Sequence, residues 1–290
     1  MIKIGILISY DYKFVFECIK HIYDYADEII LAYDKNSQTW SGNTFEIDPT
    51  FFTEIKEIDP LKKIKFYSDN FYDKSLSAME NDTRERNMLS KFMGPDCWQL
   101  QIDADEYFLN FDKVVGFLKQ HSFYLKQPDK YPLTIRGKWI TLFKKTDNGF
   151  LYIENDESFS FGTNQVESYN FARDIDCTVL KSNFYCVHQS WAREEEEIYQ
   201  KVNNWSHKDD FDQKIFFDFW RKVNETNFHK HTNFHPIYPQ EWKKLSFIAC
   251  DSVADFTEKY GQLNQKKINK KTKLPKKHRN RLLKNLLNIR

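Results

Sequence analysis

The sequence predicts an α/β fold, a mixed sheet flanked by helices, and three observations predict it. An Ile-rich apolar run, a helical stripe and a second apolar run follow one another within the first 34 residues. A strand-like alternation at residues 97–102 runs into two acids, Asp103 and Asp105. From residue 131 to 185, short β-type segments succeed one another.

Residues 3–9 have the composition of a strand buried on both faces. Val15, Cys18, Ile19, Ile22 and Ala26 then recur at the spacing of one helix stripe. With residues 28–34 as a second strand, this is a βαβ unit, whose right-handed crossover makes the strands parallel neighbours. Ligands of such sheets lie beyond the carboxyl ends of the strands, which places Ser9, Tyr10 and Asp34 there. Asp34-Lys-Asn-Ser is equally good turn chemistry, so Asp34 stays open between ligand contact and turn. Residues 36–62 read as irregular and polar, broken by Asp48-Pro49 and Asp59-Pro60, and residues 64–67 as a third strand. Residues 75–92 are helical by composition and end at Gly94-Pro95. Their apolar residues do not keep one stripe, which turns Arg86 and Asn87 towards Met79, Thr83 and the open edge of the sheet. An Arg there can bind phosphate; a solvated charged helix is the alternative.

In the fourth strand Trp98, Leu100 and Ile102 face one side, and Cys97, Gln99 and Gln101 the other. If the extended geometry persists, Asp103 and Asp105 leave the same side with Cα atoms roughly 6.6 Å apart, at about 3.3 Å per residue. Such carboxylates repel each other unless a cation or a strong donor sits between them. Mg2+ or Mn2+, which share their coordination with substrate phosphates, suit the pair. A polar strand end entering a turn is the alternative.

A short helix around residues 114–118 and a break at Gln127-Pro128 lead into the β-rich stretch, with strands at 133–135, 139–143, 150–153, 159–161, 178–180 and 184–187. Asn148-Gly149 marks a hairpin. Polar candidates here are Asp156, Glu157, Asn164, Glu167 and Arg173. His188 lies just past the last strand and before a helix at 194–205, a better place for a functional His than most. Four glutamates open that helix, at the positive end of its dipole. Residues 206–264, rich in Phe, Trp and His, read as a loop region; His229, His231 and His235 lack helical metal-pair spacing. Residues 266–290 carry Lys and Arg without any Asp or Glu. They end in a short basic amphipathic helix at 281–289, suited to a peripheral hold on an anionic membrane surface, with a solvated tail as the alternative.

The 290 residues suit one large domain with additions or two small ones, and 41% hydrophobic with 17% aromatic residues provide ample core. A net charge of +1 gives no support for nucleic acid as a partner. Five scattered cysteines without a Cys-x-x-Cys pair suggest reduced thiols in a cytosolic protein, not a zinc knuckle or a disulfide framework. The N-terminal apolar run is too short for a signal peptide or a membrane span.

The βαβ unit, the helix with Thr83-Arg84-Glu85-Arg86-Asn87 and the strand Trp98-Gln-Leu-Gln-Ile-Asp103-Ala-Asp105-Glu106 together resemble the GT-A-fold glycosyltransferases, nearest to family 2 enzymes of bacterial surface-polysaccharide synthesis. The resemblance covers roughly residues 1–205. It implies a GT-A-like, Rossmann-type mixed sheet with a nucleotide-sugar half at 1–108 and a β-rich acceptor half at 109–205. An aromatic-rich, helical C-terminal extension at 206–264 and a basic tail at 265–290 would follow. It further implies transfer of a sugar from a nucleotide diphosphate, a UDP-sugar first among candidates, to a hydroxyl of a glycan or glycolipid such as lipopolysaccharide or capsule. Ser9, Tyr10 and Asp34 would hold base and ribose, Arg86 and Asn87 the phosphate side. Asp103, Asp105 and His188 would hold Mn2+ or Mg2+ against the diphosphate. An inverting enzyme also needs a general base; Glu167 is the first choice by position, then Glu157 and Asp156. The His-Glu or Glu-Asp pair usual at a helix start in the family is not plainly present, which leaves the base, and inversion against retention, open. The implied location is cytoplasmic, or peripheral on the cytoplasmic face of the inner membrane. Two rivals remain: a nucleotidyltransferase, which would want a Gly-rich phosphate loop after the first strand where Ser9-Tyr-Asp-Tyr-Lys has none, and a non-catalytic glycan-binding protein.

Overall fold

The computed structural model describes residues 1–153 and 157–272. Its first half is built on four parallel strands. These are β1 (Ile2–Leu7), which leads into α1 (Val15–Ile22), then β2 (Glu28–Asp34), α2 (Thr50–Glu57), β3 (Ile64–Asp69), α3 (Ala78–Met93) and β4 (Trp98–Asp103). The strands lie in the order β3, β2, β1, β4, all parallel. The predicted stripe is the buried face of α1: Val15, Cys18, Ile19 and Ile22. α2 departs from the irregular segment expected at 36–62. Its inward face is only Phe51 and Ile55, one i, i+4 pair, too short a pattern to stand out from the surrounding polar residues. α3 starts at a capping box in which Ser77 and Glu80 exchange bonds, and stops at Gly94, where φ is 73°. It packs so close that a Cβ at Gly5 of β1 would lie 2.6 Å from Leu89 Cδ2. The charged helix is therefore not a solvated one: Asp82, Glu85 and Arg86 are buried with Leu89 against the sheet.

The second half continues the same sheet with antiparallel strands. After β5 (Glu106–Phe108) and α4 (Phe111–Gln120) come β6 (Leu133–Thr146), β7 (Gly149–Ile153), β8 (Ser158–Thr163), β9 (Tyr169–Phe171), β10 (Asp174–Ile175) and β11 (Thr178–His188). β8 joins the halves by pairing antiparallel with both β4 and β6. The long β6 pairs next with β7 across the predicted Asn148-Gly149 turn, and on its other flank runs parallel to β11. β11 also takes β5 antiparallel, which sets His188 opposite Glu106. β9 and β10 form a separate small hairpin lying on α3.

The loop expected at 206–264 is corrected. After α5 (Glu195–Asn204), the chain forms α6 (Gln213–Lys222), β12 (Leu245–Ala249), α7 (Val253–Leu263) and α8 (Gln265–Ile268). α6 hides its stripe because the exposed Ile215 and the half-buried Phe217 and Phe219 flank the buried Phe216 and Trp220, so its apolar residues spread well beyond the buried face. β12 is five residues long and pairs antiparallel with β7 as the sheet edge, so close that a Cβ at Gly149 would fall 2.1 Å from Ile248 O. α7 is capped by the Ser252 side chain, which accepts from Asp255 N. The later part of the stretch thus joins the main core, where Ile248, Phe256 and Tyr260 share one apolar cluster with Ile4, Ile6 and Leu100, while Phe216, Trp220 and Trp242 form a second cluster with Trp191 and Ile198. α8 carries the start of the basic tail back onto β11, burying Ile268; the amphipathic helix expected at 281–289 lies outside the described residues. Among the described residues no helix is long and apolar enough to cross a membrane.

Because Phe256 is fully buried in the cluster that holds β1 and β4, Phe256→Ala is expected to destabilise the whole molecule by about 3–5 kcal/mol in urea unfolding. A local loss confined to the C-terminal segment, with the global transition unmoved, would show that α7 is not part of that core.

Candidate functional site

The parallel strands end at one edge, and the site is there. Leu7 of β1 is in register with Asp103, the last residue of β4. The extended geometry does not persist to Asp105: the chain turns at Ala104 and Asp105 and returns as β5. The turn, and not the pleat, brings the two acids together. β11 delivers His188 to the same point. Asp103, Asp105 and His188 each offer one ligand atom, and these atoms lie within 4.8 Å of one another. They line a cavity of about 570 Å³ whose walls include Ser9, Tyr10, Trp40, Glu85, Trp139 and Lys201.

Burial would raise the pKa of both aspartates, but their neighbours reverse it. Arg173 and Arg86 hold the Asp103 carboxyl down at about 2. Arg86 Nη2 lies 3.0 Å from its Oδ1, and Arg173 Nη2 3.4 Å from its Oδ2. Asp105 is held lower still, and Arg193 Nη2 lies 2.5 Å from its Oδ2 with Lys201 Nζ at 3.9 Å. Glu106, fully buried, takes a bidentate clasp from Arg173 at 2.8 Å on each oxygen and a bond from Trp139 Nε1 at 2.9 Å. Burial outweighs the favourable charge of Asp105 at His188 and lowers it to about 4, so the imidazole is neutral at pH 7. Its Nδ1 is buried without a hydrogen-bond partner, and its other nitrogen stands 3.5 Å from Asp105 Oδ1, the oxygen that Arg193 leaves free. Two ionised carboxylates and an uncommitted neutral imidazole are a donor set that fits a divalent cation.

The other predicted residues divide. Ser9 and Tyr10 line the cavity. Ser9 donates to Asp11 Oδ1 at 3.0 Å; burial, ahead of the neighbouring Asp11, keeps the Tyr10 phenol protonated. Asp34 reaches the wall, but its carboxylate is spent as a turn organiser: Oδ1 accepts from Asn36 N and Gln38 N, Oδ2 from Phe71 N and Tyr72 N. Arg86 lines the cavity as the buried partner of Asp82 and Asp103. Asn87 turns away and clamps the β9 backbone, donating to Tyr169 O at 2.8 Å and accepting from Tyr169 N at 3.0 Å. Glu167 lies away from the cavity, with a φ of 48° and an ion pair to the exposed Lys91. Glu157 does line the cavity, where its Oε2 lies 3.5 Å from the donating Trp242 Nε1; Asp156 lies outside the described residues. Arg193, Lys201 and Glu85 are added by the structure. Only Glu85 stood beside a feature already singled out, and the patterns around Arg193 and Lys201 carry no signal until β11 and α5 are folded onto β4. Arg173 stood among the polar candidates, but its pairing with Glu106 is legible only in three dimensions.

No family model matches the chain, and no curated protein does. A solved structure of mannose-6-phosphate isomerase from Helicobacter pylori is similar at 16% identity with a TM-score of 0.31, over 53% of this chain and 55% of that one. The match thus spans about half of the isomerase, and at that score it carries no argument.

Two measurements test the electrostatics. Arg173→Ala leaves Glu106 buried and uncompensated, so stability should fall by about 3–5 kcal/mol in urea unfolding, with Glu106→Gln in the same chain recovering part of it; an unaltered midpoint would contradict this account. Glu85 is buried, and burial raises its pKa to about 8 even though it accepts from Trp40 Nε1 at 2.6 Å. Between its ordinary value and 8 the native state binds the extra proton, so this group makes stability fall as pH rises through that window. Glu85→Gln should match the native protein near pH 5 and exceed it at pH 9. A constant difference across pH would remove the assigned cause.

Proposed function

We propose that the chain is a metal-dependent glycosyltransferase of the GT-A kind, using a nucleotide-diphosphate sugar as donor and a hydroxyl of a glycan or glycolipid as acceptor. The observation that carries this is the convergence of Asp103, Asp105 and His188 on one point of a large cavity at the carboxyl edge of the parallel strands. That edge is where open α/β sheets take their ligands, and about 570 Å³ is within the range of small-molecule and cofactor sites.

Asp103, Asp105 and His188 would hold Mn2+ or Mg2+, which when bound supplies positive charge opposite the departing diphosphate. Lys201 lines the same wall, its ammonium lowered to about 8 chiefly by burial, then by Arg193. It is placed to contact a phosphate oxygen once Asp105 turns to its ion. Asp34 has no free acceptor for a base, so on this reading base and ribose rest on the β1 end around Ser9 and Tyr10 and on Trp40. The aromatic wall of Trp139, Trp205, Tyr238 and Trp242 suits the apolar faces of sugar rings.

Isothermal titration with UDP, with and without Mn2+, followed by a hydrolysis screen of UDP-, GDP- and dTDP-hexoses, tests the proposal. Metal-dependent nucleotide binding and turnover of at least one donor are expected. Asp105→Asn should cut turnover by about 10²-fold or more, because the charge stabilisation of the leaving group goes with it. Nucleotide binding indifferent to chelator, or full turnover in the Asp103→Asn and Asp105→Asn variants, would refute it; binding of glycan alone would favour a lectin-like role.

A further inference from the structure

We propose that His207, oriented by Asp210, is the general base that takes the proton of the attacking acceptor hydroxyl; this rests on the sugar-transfer reading of the same cavity. His207 follows α5 and lines the cavity. Its Nδ1 stands 2.6 Å from Asp210 Oδ2. A carboxylate only accepts, so Nδ1 carries the hydrogen and Nε2 the lone pair. The dyad is braced: Asp210 N donates to His207 O at 3.0 Å, and the ring packs edge-on to Trp205 at 4.9 Å. Nε2 takes no hydrogen bond among the described residues.

Two elements tie this imidazole to the metal cluster. α5 carries Lys201, 3.9 Å from Asp105, and ends just before Trp205 and His207. The β9–β10 hairpin carries Arg173 onto Asp103 and lays Phe171 against the His207 ring at 6.3 Å. Several other bases in the cavity are committed, and Glu241, which also lines it, is tested beside them. His235 Nδ1 accepts from Ile237 N and Tyr238 N, so its Nε2 holds the proton and can only donate. Asp11 is bound to Arg193, Asp82 to Arg86, Glu85 to Trp40, and Asp174 to Arg136 and Ser160. Glu157 lies beside Trp242 on the same wall and is the alternative that the test must separate.

In the step, the acceptor oxygen bonds to the anomeric carbon while its proton passes to His207 Nε2. The bond from that carbon to the diphosphate oxygen breaks, and its electron pair leaves with the nucleoside diphosphate. Asp210 holds the resulting imidazolium, which returns its proton to solvent. A single displacement of this kind inverts the anomeric centre.

The test uses the full chain. UDP binding in the presence of Mn2+ reports on the cavity, and hydrolysis of the UDP-hexose turned over by the native protein reports on the base, water serving as acceptor. His207→Ala should bind UDP and Mn2+ within about twofold of native while turnover drops about 10²–10⁴-fold, the span of general-base catalysis. Free imidazole should restore part of the rate in His207→Gly. Asp210→Asn, a change in a positioning residue, should lower kcat while leaving KM and UDP binding close to native, because the ring is no longer held with Nε2 towards the acceptor; a purely structural turn contact would leave kcat in place. If His207→Ala loses its cooperative unfolding transition, His207→Gln, whose amide can still donate to Asp210, takes its place. Native-like turnover in the folded His207 variant, or loss only in Glu157→Gln or Glu241→Gln, overturns the assignment. If the native chain shows no metal-dependent UDP binding at all, the sugar-transfer reading fails and this inference falls with it.

Discussion

The structure depends on giving the buried acids around the β4–β5 corner guanidinium partners. Asp103 and Glu106 face Arg173, Asp103 and Asp82 face Arg86, and Asp105 faces Arg193. Taken singly, such pairs add little net stability, since desolvation consumes most of the Coulomb gain. What they impose is arrangement. Arg86 comes from α3, Arg173 from the β9–β10 hairpin, Arg193 from the segment after β11, and the acids from the β4–β5 corner. A shift of any one element strands a charge away from water, so the corner can take only one arrangement with respect to all of them. The apolar core fixes the sheet; this network fixes what its carboxyl edge presents.

The sequence made the sheet legible and the network largely not. β1, α1 and β2 announce themselves because burial on one stripe or on both faces leaves a period in the chain, and Val15, Cys18, Ile19 and Ile22 follow it. α2 and α6 fail to do so for opposite reasons, one with a single i, i+4 pair facing in, the other with apolar residues such as the exposed Ile215 beyond its buried face. α7 did carry a signature, Ser252 three residues ahead of Asp255, inside a stretch whose many aromatics read as irregular. Asp103 and Asp105 were legible as a pair following a strand-like run and His188 as a residue past another, but that the three form one set came only from the resemblance. Arg173 and Arg193 were not, for a guanidinium that reaches across from another element leaves no spacing to read. Glu167 shows the limit of choosing by position: it sits in the right interval of the chain, yet the backbone at φ 48° turns it towards Lys91.

The same network bears on how a cation would be held. Three guanidinium groups surround the two aspartates, and each raises the electrostatic cost of adding a further positive charge. They also orient the carboxylates without exhausting them: Arg193 takes Asp105 Oδ2 and leaves Oδ1 towards His188, while Arg173 approaches Asp103 Oδ2 only at 3.4 Å. The site is thus preorganised in shape but already close to balanced in charge. On the sugar-transfer reading, a divalent ion gains most there when it arrives with the two negative phosphates, because the diphosphate removes the repulsion that the arginines impose on a bare ion. Loading of metal and nucleotide would then be mutually favourable, each raising the affinity of the other by the same factor. On that reading, the arginines would convert a simple acidic pair into a site that discriminates between an ion alone and an ion carrying a pyrophosphate.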